Sequence, residues 1–212
     1  MLFAYLKRDR NNWKLNITHS TITNSLIDAI GEVRKAMYLV SIYFDEKTNK
    51  TIQSLIDKVA KSTGNYFMIE GNVPPHITVA AFETKREEEI LCRLQTVTTN
   101  LVQGKLKWVS VGTFLPNVIF AAPVLNEYLQ NMMQTIYSQM ESVDETIMNP
   151  FYQPFGWMPH TTIGKLMIKE QMQEAFAVLQ EQFVPFEGTV VKIGLAKTNP
   201  YTELALFELK EQ

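Results

Sequence analysis

The chain has 212 residues, 46% of them hydrophobic, and a formal net charge of −2. That suffices to bury one sizeable core, in a single domain or two closely joined lobes, and is too little positive charge for a long grip on duplex nucleic acid. No apolar run reaches membrane-spanning length. The N-terminal charges follow the apolar stretch, the reverse of a secretory signal, and the single cysteine, Cys92, forbids an internal disulfide and suits a reducing, cytoplasmic setting.

Residues 1–36 carry Arg10-Asn11-Asn12 and scattered Trp13, Leu15 and Ile17 with no sustained period. A short helix from about Ser25 is expected from the spacing of Leu26, Ile27, Ile30 and Val33. The stretch is expected to be an N-terminal extension, either poorly ordered or upstream of the true start. Met37 opens the first strong strand, and Gly31-Glu32-Val33 can be encoded by codons containing GAGGT, a ribosome-binding sequence.

From Met37 the pattern sharpens. Met37–Phe44 reads as a buried strand, and a helix follows Asp45 with Ile52, Leu55, Ile56 and Val59 on one face, closed by Gly64-Asn65. A short segment, Tyr66–Ile69, leads through Gly71-Asn72-Val73-Pro74 into a strand that opens at His76. A helix is expected over Glu87–Leu101, then strands at Leu106–Phe114 and Val118–Ala122 around a turn at Pro116-Asn117.

The second half repeats that order: a helix over Leu125–Met140, a loop through Pro150, Pro154 and Gly156, and a strand from His160 to about Met167. A helix over Lys169–Gln182 follows, then strands at Thr189–Ala196 and Glu203–Leu209 around Asn199-Pro200. Residues 37–212 are therefore expected to form one bilobal α+β domain. Its two pseudo-symmetric lobes of antiparallel sheet and helices would flank a central groove.

Both halves carry one phrase. Pro75-His76-Ile77-Thr78-Val79-Ala80 and Pro159-His160-Thr161-Thr162-Ile163-Gly164 each read P-H-x-T, then a β-branched residue, then a small one. Three fixed positions match by chance in roughly one window in ten thousand. Each copy enters a β-branched run, where side chains alternate faces, so His76 shares a face with Thr78 and His160 with Thr162. His19-Ser20-Thr21 also spells H-x-T, without the proline or the apolar run, and is set aside.

Paired H-x-T motifs in such repeated lobes resemble the 2H phosphoesterase superfamily, most nearly its bacterial 2′-5′ RNA ligase / RNA 2′,3′-cyclic phosphodiesterase branch. The resemblance covers Met37 to Gln212. It implies hydrolysis of a 2′,3′-cyclic phosphate or 2′-5′ linkage at an RNA terminus or in a small nucleotide. It also implies ATP-independent 2′-5′ joining as the reverse of the same reaction.

The residues suit that chemistry. Displacement at a phosphodiester needs one group to take a proton from the incoming oxygen and another to give one to the leaving oxygen; imidazole, with an unperturbed pKa of about 6.5, does either. His76 and His160 are assigned jointly as the catalytic pair, with Thr78 and Thr162 donating to the phosphoryl oxygens. Lys165 matches a position where the family has Arg or Lys and is taken as a third phosphate-binding residue; its odd offset from His160 places it on the opposite face unless the backbone bends at Gly164. Tyr43, Phe155 and Trp157 are candidate base-stacking residues. No metal, no cofactor and no membrane partner are expected, and the protein is expected to be a monomer. The competing readings are a non-catalytic nucleotide- or RNA-end-binding module and a small-molecule cyclic phosphodiesterase.

Overall fold

The structure is a computed structural model that describes residues 8–9, 12–13, 37–198 and 201–211. The chain divides into two compact units, Met1–Arg34 and Lys35–Gln212. In the first, β1 (Arg8–Asp9) pairs antiparallel with β2 (Asn12–Trp13). The helix expected from Ser25, the His19-Ser20-Thr21 triplet and the turn at Asn199-Pro200 lie outside the described residues.

The second unit opens with β3 (Met37–Phe44), whose β-branched and aromatic residues are almost all buried. At its end Asp45 stops the strand and caps α1 (Glu46–Thr63): its carboxylate accepts from the Thr48 N–H at 2.9 Å and from the Thr189 N–H at 2.8 Å. Gly64, at φ 68°, ends α1 in a left-handed turn that a residue with a Cβ adopts at a cost. The short segment that follows is a helical turn, α2 (Phe67–Glu70).

The remaining elements are β4 (His76–Glu83), α3 (Glu87–Thr98), β5 (Gly104–Phe114), β6 (Val118–Pro123), α4 (Glu127–Glu141), β7 (Ile147–Met148), β8 (Thr161–Lys165), α5 (Lys169–Gln182), β9 (Phe186–Lys197) and β10 (Thr202–Glu208). The loop before the second motif is more structured than its prolines suggest. It carries β7, paired to β4, and a 3-10 turn at Pro150–Tyr152 capped by Asn149. Strand β8 stops at Lys165, short of Met167: Leu166 takes φ 56° and the Met167 N–H turns to the Asn117 carbonyl.

The sheet has eight strands in the order β7-β4-β3-β9-β5-β6-β8, with β10 on β9, and every pairing is antiparallel. Counted as two repeats of strand, helix, motif strand, helix and strand, the chain runs β3 to β5 and then β6 to β9; β9 of the second repeat pairs with β3 of the first, and β5 of the first pairs with β6 of the second. Helices cross over as well: α1 packs on β8 and α5, while α4 packs on β4 and α3. Each motif strand is thus covered by a helix from the other half, which joins the lobes through one core. Although β4 and β8 lie near opposite ends of the strand order, they return to contact each other.

Candidate active site

Both motif strands carry the same irregularity. Ser41 lies opposite Thr78 and Val40 opposite Ala80, so Val79 is an extra residue; Phe120 lies opposite Thr162 and Ile119 opposite Gly164, so Ile163 is its counterpart. These β-bulges, three residues after each histidine, reset the alternation of side chains. Beyond the second bulge Val118 pairs with Lys165, and because Val118 and Phe120 share a face of β6, Lys165 shares the face of Thr162. The regular-strand parity that set Lys165 opposite His160 is corrected by the bulge. At the same offset in the first motif stands Ala81, so this position carries a cation in the second motif alone.

The two histidines are held alike. Nδ1 of His76 bonds the Pro74 carbonyl at 2.8 Å, and Nδ1 of His160 bonds the Met158 carbonyl at 2.9 Å. A carbonyl only accepts, so Nδ1 carries the proton in each ring and Nε2 is left as the titrating nitrogen. Both rings are half-buried. Desolvation depresses both basicities, only partly offset by those carbonyl bonds; the charges of His160 and Lys165 further lower His76, and that of Lys165 lowers His160. The contact between β4 and β8 brings the two motif strands together, and these charges act within that neighbourhood.

The threonines differ. Thr78 is buried, its hydroxyl 3.2 Å from Ser41 Oγ. Its carbonyl accepts from Trp157 Nε1 at 3.1 Å. Thr162 is half-buried opposite the apolar Phe120, and among the described residues its hydroxyl has no protein partner.

Each imidazole leans on an aromatic ring that a glycine admits. The Tyr43 ring lies 6.0 Å from that of His76 and passes over Gly194, where a Cβ would come within 3.1 Å of it. Phe120 lies 5.4 Å from His160 over Gly112, where a Cβ would sit 2.5 Å from the ring. Phe114 adds an edge-on contact to His160 at 4.8 Å and stays 38% exposed.

Two of the candidate stacking residues are corrected here. Tyr43 is buried against His76, and Trp157 is buried and bonded to the Thr78 carbonyl; neither offers an open ring face. Phe155 is 91% exposed at φ 64° and has no ring contact with either histidine. Sequence reasoning missed Ser41, Phe114 and Phe120, which stand beside the motif residues only through strand pairing. Among the described residues no three His, Cys, Asp or Glu side chains cluster as metal ligands, and no helix is long and apolar enough to cross a membrane. A shallow concavity of about 640 Å³ is lined by Lys47, Lys50, Lys58 and Gln182, away from both motifs.

The family model of the 2′-5′ RNA ligase superfamily matches residues 46–201. The chain belongs to that superfamily, the 2H phosphoesterases. A curated relative from Geobacillus sp. (strain WCH70), named as a candidate phosphoesterase, is 25% identical over 152 residues, which is 69% of this chain and 82% of that protein. Among solved structures, TT0787 of Thermus thermophilus superposes with a TM-score of 0.55 at 16% identity, covering 83% of this chain and 99% of that one. LigT of E. coli complexed with 3′-AMP gives a TM-score of 0.54 at 15% identity, with coverage of 83% and 99%. At such identities these likenesses establish the α+β, LigT-like 2H fold.

Proposed function

We propose that this 2H phosphoesterase cleaves the phosphodiester of a 2′,3′-cyclic phosphate or 2′-5′ linkage, at an RNA end or in a small nucleotide, using His76 and His160 as paired proton-transfer groups. The carrying observation is that both imidazoles turn Nδ1 to a carbonyl and keep Nε2 for chemistry within one charge neighbourhood shared with Lys165. One Nε2 takes the proton of the attacking oxygen and the other protonates the oxygen that leaves, each transfer contributing about 10²–10⁴-fold. Thr78, Thr162 and Lys165 supply donors and a positive charge for the phosphoryl oxygens. The lysine acts as a point charge rather than a bidentate clamp.

Neutral resting imidazoles fit this cycle. A bound phosphate anion offsets the repulsion from Lys165 and lets one ring take up a proton. The complex of LigT with 3′-AMP supports a nucleotide-sized substrate by analogy of fold. The same cycle with a ribose 5′-hydroxyl attacking the cyclic phosphate in place of water, and the 3′ oxygen leaving, gives 2′-5′ joining without ATP.

The test is a panel of 2′,3′-cyclic phosphates, mononucleotide and RNA-terminated, with products read by phosphorus NMR. Turnover that resists EDTA and is lost in both His76→Ala and His160→Ala supports the reading. Tight nucleotide binding without product over hours would replace it with a binding module.

A further inference from the structure

The sheet face that carries His76 continues outward past the first motif strand. Tyr43 lies opposite His76, and Lys192 of β9 lies opposite Tyr43, so the three side chains share one face on adjacent strands. Val190 lies opposite Phe44, which makes Val191 an extra residue and returns Thr189 to the face of Lys192. Across the next pairing, Lys105 of β5 lies opposite Thr189, and Lys107 lies opposite Glu187. Gly104, Leu106 and Trp108, which alternate with these lysines, are buried, whereas Lys105 and Lys107 stand in solvent. Lys192 is two strands from His76, about 10 Å, and Thr189 is about 10 Å farther along β9. Lys192 is bonded to Glu208 at 2.8 Å, and the Glu208 side chain is 70% exposed. Among the described residues neither Lys105 nor Lys107 has an ion-pair partner. Glu203 stands opposite Ala196, toward the other end of β9.

From this continuity we propose that Lys192, Lys105 and Lys107 form a track, outside the gap between the motifs, for the phosphates of a single RNA strand whose cyclic-phosphate end lies at the histidines. The proposal rests on the phosphodiesterase reading and deepens it, since the substrate becomes an RNA end with several nucleotides behind it. Cations spaced along an open sheet face suit a flexible strand with one charge per nucleotide. Three local cations serve that purpose even in a chain whose net charge is −2. A lysine is a point charge on a flexible stem, so it follows a phosphate without fixing the sugar or the base. The track is therefore indifferent to sequence, as contacts to phosphate are. Glu208 competes for Lys192, but an exposed ion pair is weak, and an incoming phosphate displaces the carboxylate at little cost. A mononucleotide cyclic phosphate with a free 5′-hydroxyl has no second phosphate to place on Lys192 and gains nothing from the track.

The experiment compares cytidine 2′,3′-cyclic phosphate with a short oligocytidylate ending in the same cyclic phosphate. Both are assayed in wild type and in the triple variant Lys105→Gln/Lys107→Gln/Lys192→Gln, and kcat/KM is read as salt rises from about 50 to 200 mM. Three phosphate contacts, each with a slope of about −0.7 on a single strand, predict a fall of about 20-fold for the oligonucleotide in wild type. The mononucleotide value should fall much less. In the triple variant the preference for the oligonucleotide at low salt should drop about tenfold or more, and its salt dependence should match that of the mononucleotide. Replacing the same three lysines by arginine should keep the preference, because the charge stays. Equal salt dependence of the two substrates in wild type, or a preference that survives in the glutamine variant, overturns the proposal and leaves the phosphodiesterase reading in place. Failure of wild type to turn over either substrate removes that reading, and the proposal falls with it.

Discussion

Trp157 Nε1 donates to the carbonyl of Thr78 at 3.1 Å, across 79 positions of sequence. The segment leading into the second motif is thereby hydrogen-bonded to the strand of the first. Both groups are buried, so this bond fixes the approach of one histidine to the other and leaves no water to substitute for it.

Trp157→Phe keeps much of the ring volume and leaves the Thr78 carbonyl unpaired. A loss of about 1–3 kcal/mol in unfolding free energy is expected, read from urea midpoints. A larger fractional loss in kcat than in folded population at assay temperature is also expected, because the two motifs lose their register. Wild-type kcat in the folded variant would show that the bond serves stability alone.

His76→Gln and His160→Gln should each lower turnover by about 10²–10⁴-fold while the circular dichroism spectrum stays native. The wild-type profile should be bell-shaped in pH, since one ring must be neutral and the other charged. Retention of full activity by either single variant defeats paired catalysis.

Stability should fall on the acid side of neutrality. Both imidazoles titrate below their ordinary value of 6.5 when folded, chiefly through desolvation. Between that value and the lower folded one the unfolded chain binds more protons, so stability declines as pH falls through the window and levels off beneath it. The double variant His76→Gln/His160→Gln should show a shallower decline in urea midpoint between about pH 7.5 and pH 5. Equal slopes in the two proteins would contradict the assignment.

Gly112→Ala puts a methyl group where the Phe120 ring lies, with the added carbon 2.5 Å from ring atoms. Phe120 is fully buried, so relief must come from moving the ring that supports His160. Overpacking of this kind costs about 1–3 kcal/mol. Activity should drop further than stability explains, and a crystal structure should show His160 displaced; an unmoved imidazole with native kcat counts against the role given to the ring.

Ser41→Ala removes a polar neighbour from the Thr78 hydroxyl, which then loses one constraint on its direction. A drop in kcat of about 5–10-fold with KM little changed is expected, from the free energy of one hydrogen bond. Its positioning role appears in a double-mutant cycle. The effect should vanish in a Thr78→Ala background and persist in Thr162→Ala. Persistence in both backgrounds would reduce Ser41 to packing.

What was legible in the sequence was what local chain physics writes there. Lys169–Gln182 is helical over its expected span because its apolar residues recur at helical spacing. Helix α4 begins two residues later than expected because Asn126 caps it, its side chain accepting from the Leu129 N–H. The motif pair was legible because it is written twice. The face of Lys165 stayed conditional on a bend because counting along a strand assumes regular alternation, and the extra residue Ile163 is visible only against β6.

By itself, the sequence determined the element order, the repeat and the family, because period, caps and matched motifs are properties of near neighbours along the chain. Tertiary structure alone decided that β5 and β9 change lobes, that Lys165 turns to the threonine face and that Phe114 stands beside His160. Those outcomes depend on which strands pair and in what register. Pairing is settled by burial and hydrogen bonding between residues far apart in sequence, which no local pattern encodes.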